Sequence, residues 1–254
     1  MIKRIAALVS TAQHPASGVA RHCRNDSLAM AIGLNLAETA SAQMQVLHAG
    51  SPDNPALKDY LALGAKQVTV ITTKDNIVEN LAENLANTDL ILTGGRAESS
   101  TASGLLPYLL AAKLNFPLVA NALEIKLVED KAEILQFLPK GKRRLLSVQL
   151  PAVVVVHPLA DVDLHYAFAQ KIAGEIITAS ALTPENTDKI ESPCDIVNRK
   201  PIKLKAPQQQ SGYERLLAAI SSENKGGTVV IEGNSVEKAQ VILDYLREHR
   251  LIDF

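Results

Sequence analysis

Short, continuously apolar segments alternate with segments of helical period through the first half of the chain, and this alternation limits the fold more than any other feature. Ile5-Ala6-Ala7-Leu8-Val9 is apolar at every position, as a strand covered on both faces must be. After a loop holding Pro15 and Gly18, Asn25-Asp26-Ser27 offers a helix cap, and Leu28, Met30, Ala31, Leu34 and Leu36 recur near the helical period. Gln45-Val46-Leu47-His48 reads as a second strand, and Asn54-Pro55 opens a helix that stops near Gly64. Gln67–Ile71 and Asp89–Thr93 supply two more strands, each followed by a helix, the first through Ile77, Leu81 and Leu85, the second ending near Asn115. Such strand–helix repetition predicts an α/β fold with a doubly wound, mostly parallel sheet of order 3-2-1-4-5.

From Pro117 the period changes to that of consecutive strands: Leu118 to Leu127, Ala132 to Leu138 and Arg143 to Val156, with Lys140-Gly141-Lys142 as a hairpin turn. These predict an antiparallel extension of the sheet. Between Pro158 and about Gly227, recurrent prolines and Gln208-Gln209-Gln210 predict a long arm broken by one short helix around Tyr213 to Ile220. Thr228–Ile231 reads as a last strand, and Ser235 as the cap of a final helix. Residues 1–157 are therefore expected to form the α/β core. Residues 158–254 are expected to form an arm and a strand–helix pair packed on a partner subunit.

Composition removes several functions. Aromatic residues make up 4% with no Trp, and the formal net charge is −1, so neither base stacking nor a basic field points to nucleic acid. Cys23 and Cys194 cannot form a disulfide framework or a paired-cysteine metal knuckle, which suits a cytoplasmic protein with reduced thiols. No apolar run nears the roughly 20 residues of a membrane span, and Met1–Ile5 lacks a leader's apolar stretch. The six histidines show no HExxH spacing, and no GxGxxG, phosphate-loop or nucleophile-elbow motif occurs. No catalytic constellation is expected.

In a doubly wound sheet, ligands bind where strand order reverses, at the carboxyl ends. Here that crevice should lie between the first and fourth strands, where the loops Val9–Gly18 and Gly94–Gly104 meet. The second loop combines glycines that allow close approach, hydroxyls at Ser99, Ser100, Thr101 and Ser103, and the Arg96 cation. A helix start near Pro107 would aim unpaired N–H groups at an anion. The same residues also suit a capped turn that contains serines, and the spacing leaves both readings open. His14 reads first as an exposed loop histidine and second as a ligand contact. Asp26 could contact a ribose, but its place beside a helix cap needs no ligand to explain it.

At these positions the chain resembles the β subunit of electron transfer flavoproteins over most of its length. Asp26–Leu36 is similar to the family's Asp followed by A-L-E-x-A-L-R-L, Leu61–Ala65 to L-A-M-G-A, and Asp89–Ala97 to D-L-[IV]-L-x-G-x-Q-A. Leu150-Pro151-Ala152-Val153 reproduces L-P-A-V, and the end at Arg250-Leu251-Ile252 is similar to the family's. The resemblance implies a heterodimer with an α subunit holding most of the FAD, and an AMP buried in the β subunit. Carried over by position, the cofactor site falls on Val9, Ser10, Asp26, Ala49, Gly94, Gly95, Arg96, Ala97, Ser99, Ser103 and Gly104. The wall facing the flavin would include Gln13–Ala16, and hence His14.

The departures carry their own implications. The loop from Ala97 to Gly104 is shorter than the family's, with Ser99 and Ser100 in place of acids. Cys23 stands where an Asn is frequent, and Lys140-Gly141-Lys142-Arg143-Arg144 replaces an acidic glycine-rich turn. The docking segment, R-Y-A-x-L-P with following lysines in the family, reads His165-Tyr166-Ala167-Phe168-Ala169-Gln170. Partner docking is thereby carried to Phe168 and Ala169, and the donor implied is not the usual acyl-CoA type. His14–Arg21 resembles a variant subgroup, H-P-x-S-G-x-A-R, that accompanies dimethylglycine or betaine-type catabolism. The function implied is an electron carrier between a flavin-dependent dehydrogenase and a membrane quinone oxidoreductase. The rival readings are a stand-alone adenine-nucleotide binder resembling universal stress proteins, whose glycine pattern Gly94, Gly95 and Gly104 meet in part, and an assembly scaffold.

Overall fold

The computed structural model describes residues 2–14, 16–73, 76–98, 102–180, 211–213, 233–249 and 252. The chain divides into two units, Met1–Glu191 and Ser192–Phe254. In the first, β1 (Arg4–Leu8), β2 (Thr11–Gln13) and β3 (Ala20–His22) precede α1 (Arg24–Ala40). Then come β4 (Gln43–Ala49), α2 (Leu57–Ala62), β5 (Gln67–Thr72), α3 (Ile77–Leu85), β6 (Leu90–Gly94) and α4 (Leu106–Leu114). The meander β7 (Leu118–Val128), β8 (Lys131–Phe137) and β9 (Arg143–Gln149) leads to β10 (Ala152–Val156), α5 (Phe168–Ala173) and β11 (Glu175–Ser180). The second unit contributes α6 (Ser235–Glu248).

The sheet runs β11-β5-β4-β1-β6-β10-β7-β8-β9, with β2 and β3 paired separately as an antiparallel hairpin. The stretch β5-β4-β1-β6 is the expected 3-2-1-4, all parallel. Beyond β6 the order departs from expectation. β10 pairs parallel with β6, and the earlier β7 lies outside it, so the sheet continues out of chain sequence before β8 and β9 add antiparallel.

Alternation across the central strands builds the core. Ile5, Leu90, Leu92 and Val154 turn toward Leu28 and Ile32 of α1. Ala6, Leu8, Ile91 and Val153 turn toward Leu81 and Leu85 of α3 and Leu110 of α4. β6 and β10 are buried at every residue, which explains their continuous apolar runs.

Several expectations are corrected. Thr11–Gln13 and Ala20–His22, expected within a loop, pair as the β2–β3 hairpin. Arg143–Val156 is two strands rather than one. The break falls at Pro151, which has no N–H to offer a ladder. Residues 168–180, expected in an irregular arm, form α5 and the edge strand β11, which pairs along its whole length with β5. α1 begins one residue after Cys23, which has no side-chain capping bond, so Asn25-Asp26-Ser27 lies inside the first turn. The cap of α6 is Asn234, not Ser235; its side chain accepts from Val236 and Glu237 N–H, and Glu237 answers as a capping box. The expected helix after Tyr213 and strand at 228–231 lie outside the described residues. Among the described residues, no helix is long and apolar enough to cross a membrane.

Candidate functional site

Register places the ends of three strands side by side: Leu8 of β1 pairs with Leu47 of β4 and with Thr93 of β6. The residues that follow, Ser10, Ala49 and Gly94, therefore meet at the reversal of strand order. A cleft of about 420 Å³ opens there, lined by Val9, Ser10, Asp26, Ala49, Gly94, Gly95, Arg96, Ala97, Ser103 and Gly104 among others. Thus ten of the expected cofactor positions share one cavity, including the two loops separated by most of a hundred residues. Ser99 lies outside the described residues.

Asp26 organises the floor. Its carboxylate, 6% exposed, accepts from Ser10 N–H at 2.9 Å, from the Ser10 hydroxyl, and from Gly94 N–H at 3.1 Å. It thereby ties the end of β1 to the end of β6. Burial pushes its pKa up to about 6, against the opposing effect of the Ser10 and Gly94 hydrogen bonds. Gly94 is required by this tie, since a Cβ there would lie 2.3 Å from Asp26 Oδ1. The Ser10 and Gly94 amides are thereby both engaged by a carboxylate of the chain itself.

Arg96 and Ser103 are partly committed as well. Arg96 Nε donates to Ala102 O at 2.8 Å and braces its own loop, while the Ser103 hydroxyl accepts from Leu105 N–H at 3.2 Å, just before α4. Gly104 adopts φ +78°, a conformation open to glycine, and a Cβ there would press on Gly95 O at 3.1 Å. Pro107 stands in the first turn of α4, as expected, and that turn faces the cleft.

His14 is not among the residues lining the cleft. It sits in the β2–β3 hairpin, where its Nδ1 accepts from Ser17 N–H at 3.2 Å and its backbone N–H donates to Val19 O at 2.8 Å. Phe168 and Ala169 belong to α5, which has no buried residue; Phe168 is 65% exposed.

Other contributors carry little sequence signal. The Tyr60 hydroxyl, from α2, donates to Ser10 O at 2.6 Å and accepts from Cys23 N–H at 3.0 Å, pinning the β1 end to the start of α1. His48 is buried, with Nδ1 2.8 Å from Val9 O, and burial lowers its pKa. Glu98 pairs with Arg21 at 2.5 Å and accepts from Arg24 N–H at 3.0 Å, fastening the β6 loop to the hairpin and to α1. Leu47, Ile77, Val78 and Leu81 supply an apolar wall suited to a planar base. Their role was unreadable because each also satisfies strand or helix periodicity. A larger opening, about 890 Å³, lies at the amino ends of β4 and β5 around Gln43, Lys66 and Gln67, away from the strand-order reversal.

Fold and cleft define a doubly wound α/β chain with a cavity at its strand-order reversal. Residues 24–180 match the electron transfer flavoprotein domain. Over 257 residues the chain is 32% identical to the electron transfer flavoprotein subunit beta of Chromohalobacter salexigens, an alignment covering 98% of this chain and 95% of that protein. The chain belongs to the electron transfer flavoprotein family, whose members carry electrons and are not catalysts by themselves. Val9, Ser10 and His14 precede the matched domain, whereas Asp26, Gly94–Gly104 and Phe168 fall within it.

Proposed function

We propose that this chain is the β subunit of a heterodimeric, FAD-containing electron carrier that accepts electrons from a flavin-dependent dehydrogenase and delivers them to a membrane-bound quinone oxidoreductase. The observation that carries the reading is the identity to a β subunit over nearly the full length of both proteins. The FAD, held chiefly by the α subunit, supplies the electron-carrying ring. The residues here supply a wall near it, from the β2–β3 hairpin around His14, and an adenine-nucleotide site.

The cleft fits AMP in composition. Its apolar wall at Leu47, Ile77, Val78 and Leu81 would take the base, and the rim from Gly95 to the first turn of α4, with Arg96, Ser103 and Gly104, would take the phosphate. Asp26 would hold the strand ends rather than bind phosphate. The part of 158–254 that follows β11 would pack on the α subunit, a reading supported by α6, which has no buried residue and exposes Val236, Ile242 and Tyr245. Phe168 and Ala169 would face the dehydrogenase, of the dimethylglycine or betaine type by the resemblance of His14–Arg21. The location that goes with this reading is cytoplasmic.

Co-expression with an α subunit tests the proposal. The purified complex should show flavin absorbance at one FAD per heterodimer, and denaturation should release AMP, identified by mass spectrometry. Full FAD loading of the isolated chain, or failure to bind any α subunit, would overturn it. The partial match of Gly94, Gly95 and Gly104 to the glycine pattern of universal stress proteins supports a second reading, a stand-alone nucleotide binder. Retention of a nucleotide by a chain that binds no α subunit would select that second reading.

A further inference from the structure

Helix α5 is mounted inside out. Of its two polar side chains only Lys171 turns back to the protein, Gln170 being exposed, and its large apolar side chains face away: Phe168 is 65% exposed and Ile172 72%, with Tyr166 just before it at 52%. Burial of apolar area normally drives a helix the other way round, so something other than hydrophobic packing must hold this orientation.

The holding contacts converge on one carboxylate of α2. Asp59 Oδ1 accepts from Lys171 Nζ at 2.8 Å and from the Tyr166 hydroxyl at 3.1 Å, and Lys171 Nζ also donates to the Tyr166 oxygen at 2.9 Å. One carboxylate thus restrains side chains on both flanks of Phe168. Two backbone features fix the ends of the segment. Ala167 N–H donates to Ala62 O at 2.8 Å, and Gly174 lies so close to Leu61 that a Cβ would come within 2.9 Å of its Cδ2. These contacts fix the backbone at each end of the helix, and Lys171 adds the side-chain link between α5 and α2. The other carboxylate oxygen, Oδ2, lies 3.7 Å from Nδ1 of His22, on β3, an electrostatic contact longer than a hydrogen bond. The Asp59 side chain is only 20% exposed, so its links are less screened than those of a free surface pair.

We propose that Asp59 is the positioning residue of the docking segment: it holds α5 with Phe168 and Ile172 outward, and through His22 it joins that helix to the β2–β3 hairpin. The meaning of the outward face rests on the docking reading above; the positioning rests on the contacts. The kind of partner that fits is a protein with a complementary apolar pocket, because the exposed side chains are apolar and Lys171, the cation of α5, is already engaged by Asp59.

Hydrogen exchange on the FAD-loaded complex with its α subunit provides the test. Asp59→Asn should raise exchange roughly tenfold in the peptides spanning 166–174 and 11–22, with peptides of β1 and α1 unchanged. Lys171→Met should affect only 166–174, and Asp59→Glu should restore part of the protection. With a dimethylglycine dehydrogenase as electron donor, Asp59→Asn should raise the KM for the complex several-fold at constant kcat, with dithionite reduction unaltered. Wild-type exchange at 166–174 in Asp59→Asn overturns the positioning role, and wild-type exchange at 11–22 alone overturns the link through His22. Faster exchange with unchanged KM in Asp59→Asn and in Phe168→Asp leaves Asp59 as the positioning residue and removes the docking reading.

Discussion

Gly94→Ala is the most demanding perturbation of the cleft. Gly94 ends β6, buried, opposite Val156 of β10, and its N–H donates to Asp26 Oδ1 at 3.1 Å. An alanine Cβ would stand 2.3 Å from that oxygen and 2.9 Å from both the carbonyl carbon and the Cβ of Asn25. Asn25 cannot simply swing aside, because two of these atoms belong to or adjoin the first turn of α1, whose N-cap is held by Tyr60. Something must shift, and the carboxylate is the nearest. Overpacking of this kind costs about 1–3 kcal/mol, and losing a hydrogen bond to a charged group about 1.5–3 kcal/mol. The sum, about 2.5–6 kcal/mol, corresponds to a fall in melting temperature of about 5–24 °C for a chain of this size.

Gly95→Ala is the matched control. Its nearest contact would be Val155 Cγ1 at 3.7 Å, an ordinary van der Waals distance, so its melting temperature should stay within about 3 °C of wild type. Calorimetry of both complexes at one protein concentration measures the difference. Equal melting temperatures for the two variants would refute the claim that Asp26 is wedged between the strand ends.

The remaining expectations concern charge and access. The Asp26 carboxyl titrates near 6 in the fold against an ordinary value of 3.8, so the folded state holds its proton more tightly. Relative to Asp26→Asn, wild-type stability should therefore fall as pH rises from about 4 through 6, by about 3 kcal/mol in all; a flat difference across denaturant titrations in that range would contradict this. His48, whose pKa burial lowers, acts in the opposite sense, and its loss of stability on acidification is common to both proteins. Cys23 is wholly buried and burial pushes its thiol up to about 11, so mass mapping should find it unalkylated in native protein at pH 8 and modified only after unfolding. Arg96→Ala removes the brace to Ala102 and a cation from the rim, and should lower AMP retention by about tenfold or more on repeated desalting. Unchanged retention would exclude Arg96 from the nucleotide site.

What was legible in the sequence follows from which forces act locally. β1 and β6 are covered on both faces or nearly so and carry unbroken apolar runs at Ile5–Val9 and Leu90–Leu92, while β4 and β5, covered in part, keep apolar residues at Val46, Leu47, Val68, Val70 and Ile71. Their parallel order then located the cleft before any coordinate was known, because chain crossover and handedness leave few alternatives. The β2–β3 hairpin left no such trace: each strand has three residues, and Thr11-Ala12-Gln13 against Ala20-Arg21-His22 shows no alternation to read. β11 lies at the sheet edge with much of its surface open, so Glu175–Ser180 lacks the dense apolar run of a central strand. The contacts that shape the site were less legible still. Nothing in the spacing of Asp59, Tyr166 and Lys171 announces that they meet, and Tyr60 satisfies helix periodicity before it satisfies Ser10 and Cys23.

Asp26 shows what local reading leaves out. Read locally, an acid in the first turn of a helix complements the helix dipole and needs no further explanation. Read through the sheet, it answers the problem that created the cleft. Where strand order reverses, the ends of β1 and β6 diverge, leaving Ser10 and Gly94 N–H groups without ladder partners. A buried amide left unsatisfied costs about 1–3 kcal/mol, so the gap must be filled by a ligand or by the protein. Here the protein fills it, with an anion of its own. That choice makes the cleft persist with or without a guest, and it places a negative charge beneath whatever enters. A phosphorylated guest must then be held from the opposite rim, where Arg96, Gly104 and the first turn of α4 stand, and its phosphate should lie far enough from Asp26 for the two charges to coexist.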